Sequence, residues 1–426
     1  MITIENGEET LPSSITDFIL REGASLGFAK AFWKECEPHP YELKRYALYA
    51  SVMRLHAEGK KLSQIVASTG VLRHSVIRWI KLEQRPKLAH FLGLYLGLGN
   101  PRPGWTWLSV NNSSGHAVPL GPILQVPSSI SKWQDIEDVL SQIQSPDTGD
   151  GGMSREYLFG FLLGMVIGDA AKSRERSWHR HIGLVMSKKY STNERIGEFT
   201  CRCARSIGLR MHRVSDQPKL PSKPYGFFEW TSQASPLVDW IFNVCLGLRD
   251  GEKTTYDAVR MDWVLESPMD FRRGLVQGVA ESDGSVSIAS QTVEFWIGPN
   301  WDFFKGLLLT FDVKSFRNRE ALSVTKTQVQ KLNSIPPFVP HLATPRYQRF
   351  QKLANATHIG HGKRIPPEIR DFILRNCMEG SVPQISESVV DKFGVVLNFE
   401  AVQRWVRKGQ KQAQIRINEP QQAATQ

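Results

Sequence analysis

The sequence predicts an α+β protein in which two αββαββα units lie between segments that are entirely helical. Three observations support this fold class. A nine-residue pattern with glycine at its third position and aspartate at its eighth occurs twice, and the two aspartates are 114 residues apart. The same order of helical and strand-like stretches recurs around each copy, which indicates an internal repeat. Before and after the repeated part, the apolar residues of 41–87 and 365–409 follow helical spacing.

The repeat order is visible as alternating hydrophobic periodicities. In the first unit, helices are predicted at residues 154–169, 193–207 and 236–246, and strands at 182–186, 210–214 and 227–231. In the second unit, helices are predicted at 269–281, 301–310 and 328–332, and strands at 284–289, 292–297, 314–317 and 321–324.

The chain has 426 residues, more than one hydrophobic core usually organises, so several domains are expected. We predict seven segments. They are an N-terminal extension (1–40), a helix-turn-helix (41–87), a Pro/Gly-rich connecting region (88–152), two repeats (153–250 and 251–344), a second helix-turn-helix (345–412) and a disordered Gln-rich tail (413–426).

The net charge of +11 suits a polyanionic partner, either nucleic acid or an acidic membrane surface. The most apolar run, residues 157–171, is too short to span a bilayer and contains Asp169, so no membrane association is expected. No signal peptide is visible, and the five cysteines are scattered and odd in number. These features predict a cytoplasmic, nucleoid-associated protein in a reducing compartment.

The two nonapeptides, residues 162–170 (LLGMVIGDA) and 276–284 (VQGVAESDG), carry the functional prediction. Aligned on Asp169 and Asp283, they place Gly164 opposite Gly278, each followed four residues later by a small residue, Gly168 or Ser282. Small residues at this spacing share one helix face and let two backbones approach closely. Interior glycine costs a helix about 1 kcal/mol relative to alanine, so a close contact between the two helices must offset it.

Such a contact would bring both aspartates together at adjacent helix ends. Neighbouring carboxylates repel each other unless cations lie between them. Hard oxygen ligands of this kind favour Mg²⁺ or Ca²⁺, and metal ions held by carboxylates are an established solution for phosphoryl transfer. The alternative is two buried helices whose terminal aspartates coincide by chance.

These motifs, their separation and the repeat order resemble the LAGLIDADG homing endonucleases in their single-chain, two-repeat form, over residues 153–344. The resemblance implies a pseudo-two-fold saddle that binds double-stranded DNA as a monomer, with strands in the major groove. It implies two or three Mg²⁺ ions, replaceable in binding by Mn²⁺ or Ca²⁺, held by Asp169 and Asp283 and by the carbonyls of Gly168 and Ser282. Water would then cleave each DNA strand once.

The family also places a lysine or glutamine where the last strand of each repeat meets its last helix. The matching residues here are Lys326, which could stabilise charge or position water, and Gln233, which could orient water. Both could equally be surface residues at a strand end. The sequence departs from the family at Ala170, which stands where glycine is usual, and Gln277 and Glu281 are interpreted as lying on solvated faces of the second helix.

Basic residues after the first aspartate are expected to contact DNA from alternate strand positions, although a basic run is more often only a solvated face. The second unit offers mainly serines, which indicates an asymmetric target. The predicted contacts are Lys172, Arg174, Arg176, Arg180 and Lys188 in the first unit, and Ser285, Ser287, Arg317 and Arg319 in the second.

The flanking segments add a second nucleic-acid signature. In residues 61–80, Gly70 supplies a left-handed turn between two apolar faces, which resembles a helix-turn-helix that directs Arg73, His74 and Arg78 to a groove. Helices predicted at 366–378, 385–393 and 399–408 repeat the pattern, and Gln403 and Arg404 on the third helix are expected to contact DNA. Ordinary three-helix packing is the alternative for both segments.

The sequence therefore predicts a homing-type DNA endonuclease with flanking DNA-binding modules, which would raise affinity through effective concentration. Two other functions remain open. One is a DNA-binding transcription regulator that keeps the fold and has lost cleavage. The other is an RNA maturase of the same fold.

Overall fold

A computed structural model describes residues 3–5, 8–10, 40–110, 123–143, 152–172, 181–214, 225–233, 235–249, 251–325, 327–359 and 364–423. The chain folds into mixed helices and antiparallel sheets, so the α+β class is confirmed. Within these residues, no helix combines the length and the apolar character needed to cross a bilayer.

In the described residues of the N-terminal part, a short antiparallel strand pair is followed by four helices. These elements are β1 (Thr3–Glu5), β2 (Glu8–Thr10), α1 (Pro40–Ala57), α2 (Leu62–Thr69), α3 (Arg73–Lys81) and α4 (Lys87–Leu98). Gly70 ends α2 in the left-handed conformation, at φ 67°, as the sequence predicts. The helices enclose their own core, in which Ile65, Val76 and Trp79 meet aromatic residues of α1 and α4.

The connecting region, which the sequence pattern does not resolve, contains two antiparallel strands and a helix that join the central core. They are β3 (Trp105–Ser109), β4 (Ile123–Pro127) and α5 (Trp133–Ser141). The Trp133 ring lies 4.9 Å from that of Phe271, centroid to centroid, and the Trp240 indole donates a hydrogen bond to the Pro127 carbonyl. Large buried rings therefore fix this region against the repeats.

Both repeat units follow the predicted order of helix, two strands, helix, two strands and helix. The first contains α6 (Arg155–Ile167), β5 (Ala170–Lys172), β6 (Ile182–Ser187), α7 (Thr192–Ser206), β7 (Met211–Arg213), β8 (Phe227–Ser232) and α8 (Pro236–Asp239), which continues as a π-helix through Cys245. The second contains α9 (Met269–Asp283), β9 (Gly284–Ser287), β10 (Thr292–Trp296), α10 (Trp301–Leu309), β11 (Phe316–Asn318), β12 (Ala321–Thr325) and α11 (Thr327–Lys331).

The two sheets have the same topology. Their strand orders are β5-β6-β8-β7 and β9-β10-β12-β11, and all neighbours are antiparallel. Ala170 pairs with Leu184 in the first sheet, and Gly284, 114 residues later, pairs with Phe295 in the second. The units are therefore related by register as well as by element order.

The C-terminal part adds a helical layer with a small parallel sheet that the sequence does not predict. Its elements are α12 (Pro345–Asn355), β13 (Thr357–Ile359), α13 (Pro367–Asn376), α14 (Val382–Phe393), β14 (Val395–Leu397) and α15 (Phe399–Ala423). Gly394 ends α14 at a left-handed φ of 62°. Helix α15 extends to Ala423, through residues for which the composition predicts disorder. Gln, Ala, Lys and Arg in that stretch are good helix formers.

Candidate functional site

Helices α6 and α9 lie against each other with glycine at every point of closest approach. A Cβ on Gly160 would lie 2.1 Å from the Phe271 carbonyl oxygen, and a Cβ on Gly164 would lie 2.8 Å from the Gly278 Cα. These distances leave no room for any side chain, so glycine is required for the backbones to touch. The predicted interface residues Gly164, Gly168, Gly278 and Ser282 are therefore in contact, and Gly160 and Gly274 extend the interface.

The contact is reciprocal. A Cβ on Gly278 would meet the Phe161 carbonyl oxygen at 2.3 Å, and one on Gly164 would meet the Leu275 carbonyl oxygen at 2.4 Å. Residues 161 and 275, like 164 and 278, are 114 apart. Each contact therefore has a counterpart with the helices exchanged, as a local two-fold axis between α6 and α9 requires. Continuing the four-residue spacing toward the helix N-termini would have identified Gly160 and Gly274 from sequence.

The helix ends carry Asp169 and Asp283 to one cleft. A Cβ on Gly168 would lie 2.6 Å from an Asp283 carboxylate oxygen, so this carboxylate rests directly against the end of the opposite helix. Both aspartates line a cleft of about 690 Å³, together with residues of the segment between the repeats and of the second sheet. The predicted convergence of the two carboxyl groups is thus present in the structure.

Burial raises the pKa of both carboxyl groups, and the charge of Asp169 raises the pKa of Asp283 further. Asp283 is half-buried, and loss of water together with the negative charge of Asp169 raises its pKa to about 7. Asp169 has an exposed side chain at the cleft mouth, yet the surrounding protein still displaces enough water to raise its pKa. Arg346 opposes both shifts. Perturbed acids that share a cleft are a mark of functional sites.

Arg346, from the first turn of α12, is a site residue that the sequence analysis does not predict. Its guanidinium donates hydrogen bonds to the carbonyls of Ala280, Glu281 and Ser282 at the C-terminal end of α9. A cation at this end of a helix binds otherwise unpaired carbonyls and complements the helix dipole. The residue lies outside the repeats and only the fold brings it to the site, so no local pattern indicates it.

Gln277 and Glu281 are buried, and the prediction that they lie on solvated faces is wrong. Gln277 is 3% exposed, accepts a hydrogen bond from the Tyr157 hydroxyl and donates one to the Pro336 carbonyl. Glu281 is 0% exposed and accepts from the Val339 amide, and its burial raises its pKa to about 7. The chain between α11 and α12 covers this face of α9, which periodicity within α9 does not reveal.

Several predicted site residues lie outside the described side chains: Lys172, Arg174, Arg176, Arg180 and Lys326. Gln233 is half-buried directly after β8, where its backbone N–H donates to the Arg210 carbonyl. It does not line the cleft that holds the aspartates. Lys188 is half-buried, with its ammonium 5.3 Å from the Phe228 ring centroid.

In the second unit, one of the two arginines predicted to contact DNA lines the cleft, whereas the two serines lie on β9. Arg317 lines the cleft, with its guanidinium 4.7 Å from the Trp301 ring centroid, and Arg319 is exposed beside it. Ser285 and Ser287 are half-buried on β9. Their neighbour Gln291 is buried and donates to the Leu397 carbonyl of β14, so it binds the C-terminal part of the chain.

The outward faces of the two sheets are not basic where the structure describes them. In β6, Ile182, Leu184 and Met186 are buried, which places Val185 on the outer face, opposite Glu229. In the second sheet, Glu294 lies between Ser285 and Ser323. Among the described outward-facing strand side chains there is no lysine or arginine. The expectation of basic strand faces therefore rests on side chains outside the described part.

The flanking modules expose four of the five residues predicted to contact DNA. Arg73, His74 and Arg78 are exposed along α3, whose other face buries Val76 and Trp79. On α15, Arg404 is exposed and Gln403 is half-buried. In the C-terminal module β14 separates α14 from α15, which explains why the turn expected there is unusually long.

The donor atoms near the aspartates are few. Among the described residues, no group of three or more His, Cys, Asp or Glu side chains could hold a metal ion. The oxygen donors at the ends of the two helices include the two carboxylates and the backbone carbonyls, of which the Ser282 carbonyl already accepts from Arg346 at 3.3 Å. A carbonyl oxygen has two lone pairs, so this bond does not exclude a second partner.

No known protein family and no curated protein matches this sequence. Comparison with solved structures finds LAGLIDADG proteins. A structure of mesophilic variants of the homing endonuclease I-DmoI is 11% identical, covers 42% of this chain and 96% of its own, and gives a TM-score of 0.31. The homing endonuclease I-WcaI bound to its DNA recognition sequence is 12% identical, with coverages of 49% and 89% and a TM-score of 0.31.

The N-terminal LAGLIDADG domain of WhiA is 11% identical, with coverages of 44% and 87% and a TM-score of 0.29.

Proposed function

We propose that this protein is a site-specific endonuclease of the LAGLIDADG homing type, which hydrolyses double-stranded DNA at Asp169 and Asp283. One observation carries the proposal: two helices packed through glycine deliver two carboxyl groups to the same cleft. The net charge of +11 supports a polyanionic substrate.

The site fits divalent cations through its charges and donor atoms. The charge of Asp169 raises the pKa of Asp283, and a cation between the two carboxylates would relieve that repulsion. Carboxylate and carbonyl oxygens are the ligands that Mg²⁺ prefers, with Mn²⁺ and Ca²⁺ as substitutes. Asp169 and Asp283 would hold the ions, with the Gly168 and Ser282 carbonyls as further donors. Bound metal would supply Lewis acidity to the phosphate and a lowered pKa to an attacking water.

The chain's own residues prepare this site. Gly168 leaves the space that the Asp283 carboxyl occupies, and Arg346 fixes the end of α9 and favours the ionised form of both aspartates. In the proposal, Lys326 positions water or stabilises charge in the second half, whereas Gln233, which does not line the cleft, is given no part in the reaction.

DNA is contacted, in this proposal, by three groups of residues outside the aspartate pair. They are the flanking modules (Arg73, His74, Arg78, Gln403, Arg404), the basic segment of the first unit (Lys172, Arg174, Arg176, Arg180, Lys188) and the second unit (Ser285, Ser287, Arg317, Arg319).

The test is cleavage selection from a plasmid library with a randomised insert, in the presence of Mg²⁺. We expect the wild-type protein to enrich one cut site, and Asp169→Asn or Asp283→Asn to abolish double-strand cleavage while retaining binding to the enriched duplex. Asp302→Asn, an exposed carboxylate on α10, is the matched control and should cleave normally. Cleavage by the Asp169→Asn/Asp283→Asn double variant at the wild-type rate would refute the site.

A second candidate is a DNA-binding regulator that does not cleave. It is favoured by the Arg346 guanidinium, which already compensates the aspartates and engages the Ser282 carbonyl. Enrichment of one bound duplex without Mg²⁺-dependent cutting would support this function. Selective retention of structured RNA over that duplex would instead support the maturase.

A further inference from the structure

The cleft that holds the aspartates also has an aromatic wall. Tyr256 is 75% exposed, Trp296 is 49% exposed, and the half-buried Trp301 lines the same cleft. Large aromatic rings left open to water beside a charged site are characteristic of recognition surfaces, because burying them is favourable only once a ligand covers them.

The wall is fixed by the fold. The buried Asn300, at the start of α10, accepts from the Val259 amide and donates to the Thr254 carbonyl. These bonds fasten the segment that carries Tyr256 to the second unit. Trp296 ends β10, beside the strand β9 that begins directly after Asp283. The backbone positions that carry these two rings are therefore set relative to the aspartates.

Polar groups at the cleft mouth complement this wall. The Arg317 guanidinium lies over the Trp301 ring, and its Nε donates to the Arg319 carbonyl, which fixes its orientation. Glu320 lines the same cleft and offers hydrogen-bond acceptors. Aromatic faces, a guanidinium and a carboxylate are the groups that bind a base by stacking, its phosphate by charge and its amino group by hydrogen bonding.

We propose that this cleft binds one unstacked nucleotide next to the phosphate that Asp169 and Asp283 serve. The cleft of about 690 Å³ falls within the size range of small-ligand sites, whereas a paired base has both faces covered by its neighbours. Only a base that has left the stack can present a face to Trp296 or Tyr256. The substrate class is thus a nucleic acid with a locally unpaired position, and the inference rests on the proposed function for its nearby phosphate.

The first unit provides a built-in control. The strand pairing that aligns Leu184 with Phe295 places Val185 at the position equivalent to Trp296. Val185 is 42% exposed, so its truncation shortens an exposed apolar side chain at the equivalent strand position without removing a ring.

The experiment measures binding by the Asp169→Asn/Asp283→Asn protein, which separates recognition from cutting. The probes are a fluorescein-labelled DNA duplex with a central 2-aminopurine in a one-nucleotide bulge, the same duplex fully paired, and RNA duplexes of both forms. We expect tighter binding of the bulged probe and quenching of 2-aminopurine on stacking. Trp296→Ala and Tyr256→Ala should each weaken binding of the bulged probe about tenfold and leave the paired probe within about twofold.

Val185→Ala should bind both probes as the parent does. Equal affinity for bulged and paired probes, or equal losses in Trp296→Ala and Val185→Ala, would overturn the nucleotide site. The DNA and RNA arms identify which nucleic acid supplies the unpaired base. Plasmid cleavage by the wild-type protein without a preference for bulges rejects this inference alone. A Trp296-dependent bulge preference without any cleavage rejects only the nuclease.

Discussion

The Asp283 carboxyl group lies between a neighbouring acid, which favours its protonated form, and Arg346, which favours its ionised form. Burial and the charge of Asp169 together outweigh the arginine, and the resulting pKa is about 7. A carboxylate must be ionised to hold a divalent cation. Cation binding at this site should therefore strengthen as the pH rises through about 7.

Arg346→Ala tests this balance. Because the guanidinium lowers the pKa of both Asp169 and Asp283, its loss raises both values and moves the midpoint of Mn²⁺ binding to higher pH. Calorimetric titration of Mn²⁺ at several pH values measures the shift. Arg346→Lys should keep part of the effect.

Arg349→Ala, one turn further along α12, removes an exposed arginine that pairs with Glu387 and should leave the midpoint unchanged. A midpoint that is the same in wild type and Arg346→Ala would show that the arginine serves only to hold the helix end.

Glu281 is a second buried acid, and its raised pKa determines the direction in which pH changes the stability of the protein. Its pKa is about 7 in the fold and 4.5 ordinarily, so between these values the native state holds a proton that the unfolded chain releases. The contribution to the free energy of unfolding is therefore full below about pH 4.5 and is lost as the pH rises to about 7.

Glu281→Gln is neutral throughout, so its stability relative to wild type should increase as the pH rises across that window. Urea unfolding at pH 5 and pH 8 measures the change. Glu266→Gln, at an exposed position, should give the same difference from wild type at both values. A pH-independent offset for Glu281→Gln would mean that Glu281 is ionised in the fold throughout.

At the scale of elements, the pairing of α6 with α9 determines the site. Gly164→Ala and Gly278→Ala each place a Cβ within 2.4 Å of a backbone carbonyl on the partner helix. Overpacking of this kind costs about 1–3 kcal/mol, more than the roughly 1 kcal/mol that alanine gains in a helix. We expect lower unfolding midpoints for both variants, measured by thermal or urea denaturation, together with reduced cation binding.

Gly306→Ala, within α10, is the matched control. Its Cβ would meet nothing closer than 3.8 Å, so the helix gain of about 1 kcal/mol should remain and the variant should be at least as stable as wild type. Equal stability of the Gly164→Ala, Gly278→Ala and Gly306→Ala proteins would contradict the close backbone contact.

At the scale of the whole molecule, the described outward faces of the sheets carry Glu229 and Glu294 and no lysine or arginine, whereas α3 exposes Arg73 and Arg78. Helix α3 therefore exposes positive charge that the described outward faces of the strands lack. Contacts with DNA phosphates release bound counterions, so the affinity for duplex DNA should fall steeply as the salt concentration rises.

Arg73→Ala/Arg78→Ala should weaken duplex binding across sequences and reduce the slope of log affinity against log salt by about 1 to 2. Fluorescence anisotropy of a labelled duplex, titrated at about 50 to 200 mM salt, measures this slope. Arg54→Ala, an exposed arginine of α1 that lies near Glu58, should change the slope little. An unchanged slope in the double variant would exclude α3 from the interface.

Much of the architecture could be predicted from the sequence, because it depends on the spacing of residues close together in the chain. Glycine at positions 164, 168 and 278 requires close backbone contact, and the matching register of the nonapeptides requires two similar units. The aspartates follow from the same pattern because each stands directly after a small residue of the interface. The left-handed turns at Gly70 and Gly394 could also be predicted, because few residues other than glycine adopt that conformation readily.

The sequence by itself thus determined the repeats, the glycine-lined helix pair and the two acids at its end, because short-range spacing decides which side chains share a helix face. Tertiary structure alone decided that Arg346 reaches the end of α9, that Gln277 and Glu281 are covered, and that Tyr256, Trp296 and Arg317 line one cleft with the aspartates. These groups come from separate segments, and their proximity depends on how the layers pack, which no spacing along the chain encodes.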